Sequence, residues 1–282
     1  MIILFLCTGN SCRSPMAAAM FSRLCPEDIT ILSAGTCAYP GGPASAHAIA
    51  AVVELGADCS AHASQQATPE LLAQADFVIC LAKNHALQAK QLVAPKQLRV
   101  LGGGVSDPFG GSLDDYRTCA AQIQAALPGL LPDITCNASI ISTEEAHIPA
   151  IAELSREVFA QPASETRLRE KLTLDTCHML TALLDGQVTG FITVDEIASE
   201  AFIDDIAVFP AHQRKGIASR LLAQAEVNAI LRGCEKMHLE VRESNLGARK
   251  LYETRAFRQV GTRPGFYKAP TEDAILKTLE FR

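Results

Sequence analysis

Cys7 and Arg13 stand with five residues between them, Thr8, Gly9, Asn10, Ser11 and Cys12, and Ser14 follows at once. A thiol and a guanidinium at the two ends of a glycine-containing turn suit attack on phosphorus. The backbone N–H groups of residues 8–14 can curl into a nest for a phosphate, and the N-terminus of a following helix adds partial positive charge. Arg13 can clamp two phosphate oxygens at once. The same positive field favours the thiolate of Cys7. Ser14 can donate to that thiolate and Asn10 can lock the turn. The product of such an attack is a covalent phosphocysteine. Its leaving group needs a proton, and "SDPFGGS" (residues 106–112) offers one: Asp107, fixed by Pro108, as general acid and then as base for water.

A second constellation lies far along the chain. "QRKGIA" sets Arg214, Lys215 and Gly216 before Ile217, Ala218 and Ser219, a basic loop at a helix start that suits a pyrophosphate. The plain alternative is a solvated helix entry. Glu240 in "LEVRESN" and Tyr252 in "KLYETRAF" follow. On their own, Glu240 is the polar face of a strand and Tyr252 a helical core residue.

These groups need elements to hold them. The apolar run "IILFL" reads as a buried strand ending at Cys7, and "SPMAAAMFSRLC" as the helix after the turn. Strands "ITILSAG", "DFVICLA" and "QLRVLGG" then alternate with helices over 43–56, 68–75 and 114–127. That alternation predicts an α/β domain built on a doubly wound parallel sheet, in which ligands bind beyond the carboxyl ends of the strands. "LPGLLPDITCN", with three prolines and a glycine, predicts the linker. A mixed α+β domain follows, with a hairpin at the Asp-Gly of "LLDGQ", strands over 201–210, 236–243 and 273–281, and helices over 216–234 and 246–255. The expected division is a first domain over 1–131, a linker at 132–136 and a second domain over 137–282.

Composition narrows the partners. The net charge is −6, and splitting the chain after residue 133 leaves each part near −3, so neither is a basic nucleic-acid-binding module. No run approaches the ~20 apolar residues of a membrane span, and "MIILFLC" lacks the charged flank of a signal sequence. The chain has ten cysteines without a CxxC pair or zinc-type His/Cys spacing, and most of them read as buried thiols of a reducing, cytoplasmic compartment, with no metal. His47, His62 and His85 show no ligand spacing and read as structural or solvated.

In this order, "CTGNSCRSP", "SAGT", "HAS", "ADFVICL" and "DPFGGS" resemble the low-molecular-weight protein tyrosine phosphatase family over residues 1–131. The resemblance implies Cys7 as nucleophile, Arg13 as phosphate clamp and Asp107 as general acid, acting on a phosphorylated protein. Tyrosine-specific members carry a bulky apolar residue where this chain has Ser11, and aromatic neighbours after the Asp-Pro pair. Ser11 and Phe109-Gly110-Gly111 are closer to the protein arginine phosphatase branch, which usually has Thr at the position of Ser11. A thioredoxin-coupled arsenate reductase shares the loop, but it needs two further cysteines just beyond the third strand. Here Cys80 lies inside that strand and the next is Cys119. Cys12 could pair reversibly with Cys7 as an oxidation guard.

"IAVFPAHQRKGIASRLL", "LEVRESNLGARKLYETRAF" and "EDAILKTLEF" resemble the GNAT acetyltransferases, most of all the ribosomal-protein-alanine N-acetyltransferase branch, over residues 137–282. That implies acetyl-CoA against Ile206, Ala207 and Val208 and the loop Arg214–Ser219, assisted by Asn245. It implies Glu240 as general base on a protein N-terminal amine and Tyr252 as acid to the CoA thiolate. The competing expectation is a domain that only senses acetyl-CoA and regulates a tyrosine phosphatase.

Overall fold

A computed structural model describes residues 1–26, 28–93 and 97–282. The chain divides into two compact units, residues 1–131 with 281–282, and residues 132–280.

The first unit is a four-stranded parallel sheet. Its strands are β1 (Ile2–Cys7), β2 (Thr30–Gly35), β3 (Phe77–Cys80) and β4 (Leu98–Val100), in the order β2-β1-β3-β4. Helices α1 (Arg13–Phe21), α2 (Ala46–Val53), α3 (Pro69–Gln74), α4 (Lys83–Leu92) and α5 (Leu113–Ala126) connect or follow the strands. Ile3, Leu4, Phe5 and Leu6 are wholly buried, as expected of a central strand covered on both faces. Each such side chain removed from water contributes about 1.5–3 kcal/mol. The order reverses direction between β1 and β3, so the turn after Cys7 sits at the topological switch point of the sheet. Two local signals fix helices nearby. Thr68 caps α3 by accepting from Leu71 N, and Ser112 with Asp115 forms a capping box at α5. The expected strand over 97–103 is shorter than its apolar run, because Gly102, Gly103 and Gly104 all take positive φ and turn the chain after Val100. Helix α4 is additional to the elements expected from sequence.

The second unit begins with α6 (Leu131–Thr135), so the proline-rich linker stretch is helical. Then come β5 (Ser139–Ser142), α7 (Ile148–Val158), α8 (Glu165–Leu172), β6 (Cys177–Leu184), β7 (Gln187–Ile197), β8 (Glu200–Val208), α9 (Ile217–Leu231), β9 (Lys236–Arg242), α10 (Leu246–Thr254), β10 (Arg258–Lys268) and β11 (Thr271–Glu280). The seven strands are ordered β10-β11-β9-β8-β7-β6-β5, antiparallel except for β8 with β9. The Asp185-Gly186 turn between β6 and β7 has both residues at positive φ, as a two-residue hairpin of this twist requires. β10, not expected from the sequence, pairs with β11 and carries Arg263 and Tyr267.

β7 shows which face packs where. A Cβ on Gly190 would stand 3.3 Å from Leu221 of α9, so that face turns to α9. Its neighbour Phe191 belongs to a core cluster with Ile148, Ile151, Leu154 and Leu168, so the opposite face turns to α7 and α8.

Candidate active sites

Cys7 ends β1 and is 2% exposed. Its Sγ lies 2.9 Å from Ser14 Oγ and accepts from Asn10 N at 3.3 Å. Ser14 Oγ also accepts from Asn10 Nδ2 at 2.9 Å, and its own proton has two acceptors, the Cys7 sulfur at 2.9 Å and the more distant Ala34 carbonyl at 3.4 Å.

Asn10 is the lock of the turn. It is wholly buried and sits at φ 53°, a region that asparagine tolerates better than most residues. Its Nδ2 also donates to Ser33 Oγ at 2.9 Å, and its Oδ1 accepts from Gln65 N at 2.8 Å. Its carbonyl accepts from Ser64 Oγ at 2.8 Å and His62 Nε2 at 2.6 Å. The "SAGT" motif has a steric reason. A Cβ on Gly35 would fall 2.5 Å from Thr8 O and 2.9 Å from Asn10 N.

Arg13 opens α1 and is 5% exposed. It donates to Val105 O at 3.4 Å and, through the same guanidinium, to Asp107 Oδ2 at 2.5 Å. Cys7, Thr8, Gly9, Ser11, Cys12, Arg13, Asp107 and Phe109 enclose a cavity of about 160 Å³. The structure thus gathers the expected nucleophile, guanidinium and carboxyl around one space. Phe109 stands exposed at its rim.

Three further residues support this turn: Tyr116, which escaped the sequence reading, and His62 and His85, expected from sequence to be structural or solvated. Tyr116 OH lies 3.2 Å from Cys12 Sγ, and burial, then the Cys12 contact, pushes the phenol up. His62 holds the Asn10 carbonyl, as above. His85 is wholly buried with Nε2 3.0 Å from Thr8 Oγ1. Burial and the Arg13 charge push it down to about 4, so the ring is neutral at pH 7. His62 lies in the quoted "HAS", but nothing in the spacing of these three signalled contact with the turn. Cys80 is wholly buried inside β3, and burial holds its thiol far up, so it is poorly placed to resolve a disulfide.

In the second unit, the parallel pairing of β8 with β9 stops at Ile203–Leu239, although β8 runs on to Val208 and β9 to Arg242. The edge of Ile206, Ala207 and Val208 that faces away from β7 is left without a strand partner among the described residues. Beyond it the loop bends through positive φ at Arg214 and Gly216. A Cβ on Gly216 would strike the Pro132 carbonyl. Gly216 offers α9 no side-chain cap, so the first N–H groups at Ile217, Ala218 and Ser219 lack that partner, with Arg214 and Lys215 exposed beside them. An unpaired strand edge and an uncapped basic helix start fit an amide-bearing chain that ends in a pyrophosphate. Two expected contacts are modified by the structure. Ser219 Oγ is committed to Asp133 Oδ1 at 2.6 Å, so only its backbone faces the loop. Asn245 Oδ1 caps α10 at Ala248 N, 3.1 Å away.

Asp133 belongs to a buried network. Arg255 donates to Asp133 Oδ2 at 2.8 Å and to both carboxylate oxygens of Glu226 at 2.7 and 2.6 Å, with all three residues at most 5% exposed.

Glu240 sits on β9 with its carboxylate 2.8 Å from Arg263 NH1. Tyr252 is 4% exposed, and burial, then Tyr267, pushes its phenol well up. It therefore stays protonated and able to donate at neutral pH. Tyr267 is itself pushed up by burial and by the Glu240 charge, and the Arg242 guanidinium stacks 4.1 Å over its ring. Glu240 and Tyr252 thus share Tyr267 as an electrostatic neighbour.

The profile of the low molecular weight phosphotyrosine protein phosphatase family matches residues 2–140, and that of the acetyltransferase (GNAT) family matches residues 148–257. A protein-arginine-phosphatase of Bacillus subtilis (strain 168) is 36% identical over 143 residues, 45% of this chain and 92% of that protein. A probable low molecular weight protein-tyrosine-phosphatase, EpsP, of Ralstonia solanacearum is 31% identical over 138 residues, 47% of this chain and 94% of that protein. The crystal structure of the ribosomal-protein-S18-alanine N-acetyltransferase from Escherichia coli is similar at 29% identity, over 51% of this chain and 94% of that one, with a TM-score of 0.48.

Proposed function

Since the chain belongs to the low molecular weight phosphotyrosine protein phosphatase family over residues 2–140 and to the GNAT acetyltransferase family over residues 148–257, two families of enzymes, we propose a bifunctional enzyme that dephosphorylates phosphoarginine in proteins and acetylates a protein N-terminus. We assign the first activity to residues 1–131, the join to 132–136 and the second activity to 137–282.

The observation that carries the phosphatase reading is the setting of Cys7. Its sulfur has one N–H and one hydroxyl within 3.3 Å, and Arg13 and Asp107 line the same cavity. A phosphate entering that cavity takes the Arg13 donors and the N–H groups of Thr8, Gly9, Asn10, Ser11, Cys12 and Ser14. Cys7 Sγ attacks phosphorus, Asp107 protonates the leaving nitrogen, and the phosphocysteine forms. Asp107, now ionised, takes a proton from a water whose oxygen attacks phosphorus, so the S–P bond breaks, phosphate leaves and the Cys7 thiolate is restored. Ser11 is small enough to leave room beside the sulfur for a flat guanidino group, and the similarity to a protein-arginine-phosphatase supports that substrate.

Phosphotyrosine is the second reading. Phe109 at the rim favours it, because an exposed aromatic ring can stack on a phenyl leaving group. Initial rates on a phosphoarginine and a phosphotyrosine peptide, with Cys7→Ser as blank, decide between them. Preference for phosphotyrosine rejects the phosphoarginine assignment. No turnover of either rejects the phosphatase.

For the second activity, acetyl-CoA would lie along Ile206–Val208 with its pyrophosphate at Arg214–Ser219, and it supplies the acyl group when bound. Asn245 keeps a free amide to assist. Glu240 takes the proton of the incoming amine, directly or through water, once Arg263 yields its place. Tyr252 holds the proton that the departing thiolate needs. Glu240→Gln and Tyr252→Phe test this. An acetyltransferase loses turnover in both while still binding acetyl-CoA. A sensor keeps unchanged its effect of acetyl-CoA on the phosphatase.

A further inference from the structure

β8 carries a carboxyl that the proposed reaction does not use. Asp205 immediately precedes Ile206, two residues after β8 parts from β9. The register of β7 with β8 pairs Thr193 with Asp205 and Val194 with Ile203, so Asp204 is an extra residue in β8. Thr193 has the same parity as Phe191, and both it and Asp205 therefore lie on the face covered by α7 and α8.

On that face the charges are unevenly matched. Lys171 Nζ reaches Asp204 at 2.7 Å and Asp195 at 3.1 Å. The Asp205 side chain has no hydrogen bond or ion pair among the described residues. Burial, then the Asp204 charge, pushes it up to about 6, against Lys171 and Arg167 and with Asp195 adding to the rise. It is still mostly ionised at neutral pH. Beside it, Thr193 Oγ1 is buried without a hydrogen-bond partner, the whole residue being 1% exposed. A buried hydroxyl without a partner, opposite a half-buried carboxylate that no cation holds, is costly unless a ligand satisfies it.

We propose that Asp205 and Thr193 form the receptor for the primary ammonium group of the acyl acceptor. The inference rests on the acetyltransferase reading and deepens it by naming what recognises the acceptor. An ammonium has three N–H donors and a positive charge, so it can serve the carboxylate and the hydroxyl together. A neutral alcohol would gain nothing from the charge. No group of three or more metal-ligating side chains stands here or elsewhere among the described residues. A peptide N-terminus, a lysine side chain and a polyamine share this chemistry, and position on β8 next to the expected acyl site suits any of them.

The test uses the whole protein with three probes: a peptide with free N-terminal alanine, an N-blocked peptide with one lysine, and spermidine. Acetyl-transfer rates are measured, and the binding of each probe without acetyl-CoA is followed by calorimetry. In Asp205→Asn, KM and Kd for the preferred amine should rise roughly tenfold or more, as expected for a lost charged hydrogen bond. Thr193→Val should move them the same way by a smaller factor, and KM for acetyl-CoA should stay within about twofold. Thermal melts of the variants check that folding is kept. Acceptor constants unchanged in both variants, or no binding of any probe to the wild type, overturn the proposal. Binding through Asp205 without acetyl transfer rejects the acetyltransferase and leaves the receptor standing. Transfer that ignores both substitutions does the reverse. The probe that responds identifies the source of the ammonium.

Discussion

Arg13 NH2 lies 2.5 Å from Asp107 Oδ2, so the guanidinium expected to clamp phosphate is held by the carboxyl expected to protonate its leaving group. An entering phosphate competes with Asp107 for the same N–H groups. The two partners are unequally sheltered, at 7% and 49% side-chain exposure, so the carboxylate is the one that can swing away.

Asp107→Asn therefore has two opposed effects. Loss of the acid lowers kcat by roughly 10²–10⁴-fold. Loss of the competing charge tightens binding of inorganic phosphate. Phosphate inhibition constants beside kcat test the pair, and weaker phosphate binding in the variant would show that Asp107 does not compete.

Asn10→Ala removes three side-chain hydrogen bonds from a buried site and puts alanine at φ 53°. A loss of about 3 kcal/mol is expected from the unsatisfied partners and the backbone strain. Asn10→Gly relieves the strain but not the hydrogen bonds, so it should recover only part. Urea midpoints read by phosphatase activity measure both, and equal stability of Ala and Gly variants would remove the backbone contribution.

His85 sets an acid limit on the first unit. Its folded pKa, about 4, lies below the ordinary value of 6.5. The unfolded chain therefore binds the proton first as pH falls. The stability is intact above pH 6.5 and is lost between 6.5 and about 4, by roughly 3 kcal/mol for a shift of this size. His85→Gln should flatten the dependence of the urea midpoint across that window, while the wild type falls. Because the ring is neutral at working pH, the pH–rate profile above 6 should show no limb that vanishes in this variant.

Arg255→Met leaves the buried carboxylates of Asp133 and Glu226 without their shared cation. Breaking one side of a buried ion network costs about 3–5 kcal/mol. The second unit should melt far earlier while Cys7-dependent turnover survives in the cold. Arg255→Lys should recover part of the loss, since lysine restores the charge but not the forked contact with Glu226. A melting temperature unchanged in the methionine variant would show the network to be energetically neutral.

Much of this was legible in the sequence because the signals are local. A buried apolar strand, a glycine-containing turn and a helix start stand within fifteen residues, and the parallel sheet follows from strands alternating with helices. The hairpin at Asp185-Gly186 is likewise a two-residue signal. What escaped is contact between distant segments. Nothing near Tyr116 tells of Cys12, and Asp133 reads as a linker residue until Arg255, 122 positions on, is seen against it. β10 was missed because Gly261, Pro264 and Gly265 interrupt its pattern, and its pairing with β11 shifts register between Arg263 and Tyr267. Asp205 carries no local signal either, since only the extra residue at Asp204 sets its direction.

The buried anion at Asp133 bears on how the chain could be divided. Motifs alone put the start of the second domain at 137, and a fragment cloned from there would be an obvious choice. It would leave behind the carboxylate that Arg255 and Ser219 bind. Such a fragment keeps the Arg255–Glu226 pair but loses the second carboxylate of the buried network and leaves the Ser219 hydroxyl without its acceptor, and poor expression or aggregation would say nothing about its chemistry. A cut that keeps residues 131–136 with the second unit retains both carboxylates of the network, so the six residues that look most dispensable are the ones a working fragment has to keep.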